Sequence, residues 1–381
     1  MTVNRTSRIS GFYKLSRKER LRKVSEFSGL RDDDIEAIEE GIPMEEAEGM
    51  IENVIGKIDI PLGIAVNFLI NGRDYLIPMA TEESSVVAAA SNGAKMIRVG
   101  GGFKTHSSKA VMVGQIQLIA GNPDEAAEKI LKNKEEILEI ANMQDPTLIK
   151  LGGGAEDLKV RIISTDKRFM VIVHLLVNVK DAMGANIVNT MCEATAPYIE
   201  DVTGGKIYLK ILSNYCVERI AKAEATIPAE VLGKELMEGI IMAYEFARSD
   251  PYRAVTHNKG VMNGVTSIAV ATGNDTRAVE AGAHSYACRD GIYCPLTRWG
   301  RDDEGNLKGV IEMPLALGIV GGATMNPIAR ASLRILRVKT ARELCEVAAA
   351  VGLAQNLAAL KALAGEGIQK GHMSLHARNI A

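Results

Sequence analysis

No Cys-x-x-Cys pair and no cysteine–histidine run with zinc-ligand spacing occurs in this chain; its five cysteines are Cys192, Cys216, Cys288, Cys294 and Cys345. That absence excludes a zinc ribbon and a disulfide framework, and predicts free thiols in a reducing compartment, the cytoplasm. An excess of one charge is also missing, since 45 Lys and Arg face 47 Asp and Glu. The balance gives no electrostatic reason to bind nucleic acid or a membrane surface, so the expected partner is a small molecule. No apolar signal core follows Met1, and the uncharged stretch 313–329 is broken by Pro314, Asn326 and Pro327, so no bilayer span is expected. Neither G-x-G-x-x-G nor G-x-x-x-x-G-K-[ST] is present, which removes sequence support for a Rossmann or P-loop phosphate site. Repeats, heptads and linker-like tracts are absent.

What is present starts with a basic N-terminus: residues 1–23 hold eight Lys or Arg and one acid, Glu19. Ser16-x-x-Glu19 has capping-box spacing, placing Arg17, Lys18, Arg20, Arg22 and Lys23 on a helix, either as a solvated face or beside a phosphate-bearing ligand. At 381 residues the chain exceeds one comfortable core and should divide into two or so domains. Between 113 and 214 the pattern is clearest. "GQIQLIA" (114–120) alternates as a strand, and Asn122-Pro123 opens a helix running to about Ala141. "KVRIIST" and "FMVIVHLLVNV" flank the turn Asp166-Lys167-Arg168, a helix begins near "DAMGAN", and "KIYLKILSN" (206–214) reads as a last strand. The order β-α-β-β-α-β is the ferredoxin-like, split βαβ arrangement. The expected class is therefore α+β: a large helix-rich α/β domain from residues 1–112 and 215–381, interrupted by a small ferredoxin-like domain at 113–214.

Several polar positions admit both a bland and a chemical reading. "DAMGAN" (Asp181, Ala182, Met183, Gly184, Ala185, Asn186) joins a strand to a helix whose free N–H groups favour a pyrophosphate, although Asp181 could be an ordinary N-cap. Asp145, ahead of Pro146, is either a turn residue or a carboxylate that accepts from ribose hydroxyls and repels a 2′-phosphate. Glu82 and Glu83 precede a small apolar helix as helix-start acids, or one of them donates a proton. "SIAVATG" reads as a strand leading into a helix that Asp275 caps. "THNKGVMNG" (256–264) reads as interior, and Lys259 in it would carry an uncompensated charge costing several kcal/mol unless acids such as Asp275 and Glu83 surround it. An ammonium so held stabilises developing oxyanion charge. His372 and His376 share a helix face at i, i+4 with no third ligand near them, so an acid or surface role is expected and no metal site.

Taken together, "MIENVIGKIDIPLG" (50–63), "DAMGAN", "THNKGVMNG", "GNDTRA", "AVGLAQN" and "GHMSLHARN" closely resemble the class II 3-hydroxy-3-methylglutaryl-coenzyme A reductases, over nearly the whole chain. The resemblance implies reduction of HMG-CoA, through a mevaldyl-CoA hemithioacetal and mevaldehyde, to mevalonate and free coenzyme A by two nicotinamide dinucleotides, or the reverse oxidation. It implies catalytic roles for Lys259 (oxyanion stabiliser), Glu83 (proton donor), Asp275 (orienting acid) and His372 (proton donor to the coenzyme A thiolate). It assigns Asp181–Asn186 and Asn214 to the dinucleotide, and Asp145 to a preference for NADH/NAD over NADP. Ser85, Arg253, Asn263 and Gln355 match substrate-site positions, Arg253 suiting a bidentate grip on a carboxylate. Lys14 is the expected coenzyme A contact. "ENVIG" (52–56) matches the segment that forms a homodimer with shared active sites, a higher oligomer also being open. In the family the histidine rides on a flap that continues beyond the position of Ala381. An acyl-CoA lyase or hydratase without nicotinamide, and a non-catalytic coenzyme A or dinucleotide binder, are the competing readings.

Overall fold

The computed structural model describes residues 5–324 and 326–365. Three helices come first: α1 (Arg17–Ser28), α2 (Asp32–Glu40) and α3 (Met44–Glu48). Strands β1 (Leu62–Ile70) and β2 (Arg73–Ala80) follow, then α4 (Val86–Val99), β3 (Phe103–Ser107) and β4 (Val111–Ile119). Helices α5 (Pro123–Lys132), α6 (Lys134–Asn142) and α7 (Pro146–Lys150) lead to β5 (Gly154–Ser164), β6 (Phe169–Asn178), α8 (Ala185–Thr203) and β7 (Lys206–Ser213). The rest comprises β8 (Ile220–Ile227), α9 (Ala229–Leu232), α10 (Lys234–Ser249), α11 (Pro251–Ala271), α12 (Thr276–Ala287), β9 (Thr297–Arg301), β10 (Leu307–Pro314), α13 (Pro327–Leu336) and α14 (Ala341–Ala364).

Two sheets organise these elements. The larger has six strands in the order β2-β1-β3-β8-β10-β9; the smaller has the order β5-β6-β4-β7, every pair antiparallel. In the smaller one β6 lies between β4 and β5, so the first βαβ unit is split as the sequence pattern predicts. Each sheet has its own core. Met112, Ile116, Leu118, Val173 and Leu175 pack under α5, α6 and α8, whereas Phe68, Ile77, Phe103, Ile311 and much of α14 fill the other. The β1–β2 turn is Asn71-Gly72, both left-handed (φ 49 and 75), the two-residue turn that twists with its strands.

Local signals decide many boundaries. Ser16 and Glu19 form the expected capping box of α1, and Asn122 accepts from the backbone N–H of Glu125 at the start of α5. Two expectations need correction. The helix from 123 to 141 is two helices: α5 ends and α6 begins at Asn133, whose Nδ2 donates to the Lys129 carbonyl (2.8 Å). "SIAVATG" is not a strand, because residues up to Ala271 belong to α11. Buried on nearly every side, that segment shows no 3.6-residue alternation, and its β-branched content imitates a strand.

Helix α14 is the axle of the larger core. Among the described residues it alone is long and apolar enough to cross a membrane, yet 72% of its apolar window is buried inside the protein. Gly93 on α4 lets it come close: a Cβ there would lie 2.1 Å from the Ala354 carbonyl oxygen. Gly264 on α11 likewise sits against Val351 and Gln355. This brings α4 and α11, the two helices next to Glu83 and Lys259, onto one support.

Candidate active site

Helix α11 starts cleanly, with Asp250 accepting from the backbone N–H of Arg253 (3.1 Å) and Pro251 in the first turn. Two turns on, Lys259 Nζ lies 2.7 Å from Glu83 Oε2, which stands just ahead of α4. Between Glu83 and α4, Ser85 takes a left-handed conformation (φ 75), uncommon for a residue with a Cβ. Glu83, Ser85 and Lys14 line one cleft of about 1590 Å³, whose walls also carry Arg8, Arg17, Arg20, Lys57 and Lys95. Glu39, Glu40, Asp59 and Glu82 line the same cleft, and Arg17 pairs with Glu39 (2.9 Å), so its wall is of mixed charge with Glu83 of the pair within it.

The pair is not the sheltered ammonium that the sequence suggests. Within one chain the Lys259 side chain is 58% exposed and that of Glu83 41%. The first half of α11 lies at the surface, where Tyr252 and Val255 are also exposed. Asp275 does not complete the cluster: no ion pair joins it to Lys259 among the described residues. Its Oδ1 accepts from the backbone N–H groups of Arg277 (2.9 Å) and Ala278 (3.1 Å), and Arg277 lies 3.4 Å away. Asp275 is therefore the N-cap of α12, as the local pattern predicts. His372 falls outside the described residues, as does His376.

Other expected positions are distributed as follows. Arg253 and Asn263 lie on α11 with Lys259, and burial holds the Arg253 guanidinium below its usual pKa. Gln355 on α14 is 5% exposed, and its Oε1 has no hydrogen-bond partner among the described residues. Asn214 is exposed between β7 and β8. Asp145 caps α7, accepting from the backbone N–H of Leu148 (2.9 Å).

"DAMGAN" is built differently from its bland reading. The N-cap of α8 is Gly184 (φ 107), not Asp181. The carbonyl of Asp181 accepts from Ile319 N–H and its Oδ1 from Ala341 N–H, both at 2.8 Å. The first turn of α8 begins at Ala185 and Asn186, with no side-chain cap from Gly184. Gly318 lies against it so closely that a Cβ would be 2.5 Å from the Met183 nitrogen. The 19-residue helix α8 thus starts from a loop pinned by backbone contacts to the segments around Ile319 and Ala341.

Sequence reasoning missed the residues that hold these parts. Arg219, 3% exposed, donates to the carbonyls of Ala182 (3.1 Å), Met183 (3.2 Å) and Leu317, tying the loop before α8 to the larger sheet. Directly before Lys259, Asn258 bridges Cys294 and Leu296 (2.9 Å each). His257 meets Thr297 Oγ1 (2.6 Å) and Asn356 Nδ2 (3.2 Å), and burial pushes its imidazole down to about 3. Only the placement of His257 and Asn258 inside the lysine motif hinted at them; Arg219 carries no local signal.

A two-sheet α+β chain with a split βαβ module and a lysine–glutamate pair at a large cleft is the architecture of a two-domain enzyme. The chain belongs to the hydroxymethylglutaryl-coenzyme A reductase family, whose match runs over residues 16–377. It is 58% identical over 380 residues to a 3-hydroxy-3-methylglutaryl-coenzyme A reductase of Archaeoglobus fulgidus, covering 99% of this chain and 87% of that protein. A Streptococcus pneumoniae reductase structure, 41% identical, superposes with a TM-score of 0.91 over 97% of this chain and 90% of its own. A second structure from that organism, a class II enzyme described as bound to NADPH in open conformations, gives 0.89 at 41% identity, covering 93% and 99%. Family membership implies reduction of HMG-CoA to mevalonate.

Proposed function

We propose that this chain reduces the thioester of HMG-CoA in two hydride steps, with Lys259, Glu83, Asp275 and His372 as the chemical set. The observation carrying the reading is the 2.7 Å contact of Lys259 Nζ with Glu83 Oε2, the glutamate standing in the cleft wall with Ser85 and Lys14. A nicotinamide dinucleotide supplies hydride. As the carbonyl carbon receives it, Lys259 stabilises the oxygen's negative charge and Glu83 delivers a proton to that oxygen. Asp275, fixed by the first turn of α12, orients the lysine once a second chain closes the site. His372 protonates the coenzyme A thiolate and prevents the hemithioacetal from reforming. Arg253 grips the free carboxylate, with Ser85, Asn263 and Gln355 around it, and Lys14 meets coenzyme A.

Residues 113–214 serve as the inserted dinucleotide domain, with Asp181–Asn186 and Asn214 at the cofactor. Asp145 favours NADH by repelling a 2′-phosphate. A homodimer forms through the segment around "ENVIG", where Ile51, Ile55 and Ile58 are 66%, 103% and 93% exposed; a second copy covers them and removes water from the Lys259–Glu83 pair.

The test is nicotinamide absorbance with HMG-CoA, using NADH and NADPH in turn. Lys259→Ala should lower kcat by about 100-fold or more, the scale of losing an oxyanion donor. Asp145→Ala should raise kcat/KM for NADPH relative to NADH. An unchanged absorbance in the wild type would sink the reductase reading in favour of a lyase or a binding protein, and an unchanged cofactor ratio would sink the Asp145 role.

A further inference from the structure

Away from the cleft lining, Thr266, Glu280, His284 and Tyr293 form a hydrogen-bonded clasp that leaves α11 and comes back to it. Thr266 Oγ1 on α11 donates to Glu280 Oε1 on α12 (2.7 Å). Glu280 Oε2 lies 2.8 Å from His284 Nε2, one turn further along α12. His284 Nδ1 lies 2.6 Å from the hydroxyl of Tyr293, in the loop 288–296 that follows α12, and the two rings stack with centroids 6.0 Å apart. The next residues of this loop return to α11: Asn258 donates to the Cys294 carbonyl and accepts from Leu296 N–H, both at 2.9 Å. Burial raises the Tyr293 pKa, and a hydrogen bond with the Asn258 side chain acts against the rise.

The clasp has one direction. Burial would raise the Glu280 pKa, but the bonds from His284 and Thr266 bring it below its usual value, so the group is a carboxylate. A carboxylate only accepts hydrogen bonds, so His284 carries its proton on Nε2 and its Nδ1 accepts from the Tyr293 O–H. The tyrosine oxygen is then open to the second Nδ2 hydrogen of Asn258. The other tautomer would set the Nε2 lone pair against the carboxylate.

We infer that Glu280, His284 and Tyr293 are positioning residues for Lys259, an inference that rests on the reductase reading. Lys259 follows Asn258 directly, on the part of α11 where Tyr252 and Val255 face solvent and its own side chain is 58% exposed. Packing holds this half of the helix from one side only. The clasp supplies the missing restraint, tying Asn258 through Tyr293 to α12, the helix that Asp275 caps. Thr266, about two turns after Asn258, is the second anchor on α11. The helix bearing the ammonium is thereby fixed against the helix bearing Asp275. Such restraint matters because a misplacement of about 1 Å in a reacting group costs on the order of 100-fold in rate.

Two variants of the full chain test this. Tyr293→Phe removes only the phenol link. Glu280→Gln keeps the shape but reverses the clasp, because an amide N–H facing His284 Nε2 forces the other tautomer and costs Tyr293 its acceptor. With HMG-CoA and the better of NADH and NADPH, each should lower kcat about tenfold while the KM for HMG-CoA stays within about twofold of wild type, the split that marks a loss felt in the transition state. Tyr286→Phe deletes a similar hydrogen bond from the same helix outside the clasp, to Glu312 (2.6 Å), and should lower the melting temperature comparably while keeping kcat. Hydrogen exchange at 255–260 should quicken in Tyr293→Phe and not in Tyr286→Phe. Unchanged kcat in both clasp variants, or unchanged exchange at 255–260, overturns the inference, as does an equal loss of kcat in Tyr286→Phe, which would trace the effect to helix stability alone. A wild type that oxidises no nicotinamide sinks the reductase reading instead, and the exchange comparison then decides whether the clasp holds this part of α11.

Discussion

His257 shows what a single buried side chain does to this protein's response to acid. Its imidazole titrates at about 3 in the fold against 6.5 unperturbed, because burial and then Arg253 disfavour the cation. A depressed folded value means that the unfolded chain takes up the proton first. The residue's contribution is fully present above pH 6.5 and is lost as pH falls from there toward 3, at about 1.4 kcal/mol per pH unit. Urea unfolding at intervals between pH 7 and 4 should show this slope, and His257→Gln should flatten it while lowering stability at pH 7 through the lost contact with Thr297. If both proteins follow the same pH curve, the imidazole is not the titrating group. At the same scale, the Lys259–Glu83 contact is half exposed within one chain, so its strength rests on what excludes water from it.

At the scale of elements, the Lys259–Glu83 contact depends on how α4, α11 and α14 pack. Gly93→Ala would place a methyl 2.1 Å from the Ala354 carbonyl oxygen, and helix backbones cannot shift that far without opening the core. A loss of about 1–3 kcal/mol is expected in chemical denaturation, with reduced kcat because Glu83 moves with α4. A second joint is Arg219. Its replacement by Met leaves the carbonyls of Ala182, Met183 and Leu317 without a donor. Each buried unsatisfied group costs about 1–3 kcal/mol, so the loop before α8 should loosen first. The expected signature is a raised KM for the dinucleotide, with faster hydrogen exchange at 181–186; unchanged exchange there would remove Arg219 from this role.

At the scale of the molecule, the exposed isoleucines of the segment 51–58 predict a concentration-dependent assembly. Ile55→Glu should shift sedimentation toward the monomer, and specific activity should fall with it if the site is completed across the interface. A monomeric variant of full activity would contradict shared sites. Much of the local architecture was readable in advance. The split βαβ order, the Ser16–Glu19 box and the Asp275 and Asn122 caps all depend on neighbours within a few residues, where side-chain type and period act directly. The misread strand in α11 and the unbroken 123–141 helix failed because burial on all sides erases periodicity, and because Asn133 carries a break that only its packing reveals.

Family membership and the candidate catalytic residues followed from motif order alone, since residue type at fixed spacing is a property of the chain. Which of those residues meet was decided by folding. Lys259 and Glu83 are 176 positions apart and touch, whereas Asp275, only 16 positions beyond Lys259, is turned toward its own helix. The contacts that separate these cases arise from α4 and α11 closing on α14 and from Arg219 joining two sheets. Such long-range packing depends on the shape of every intervening element, which no local pattern contains.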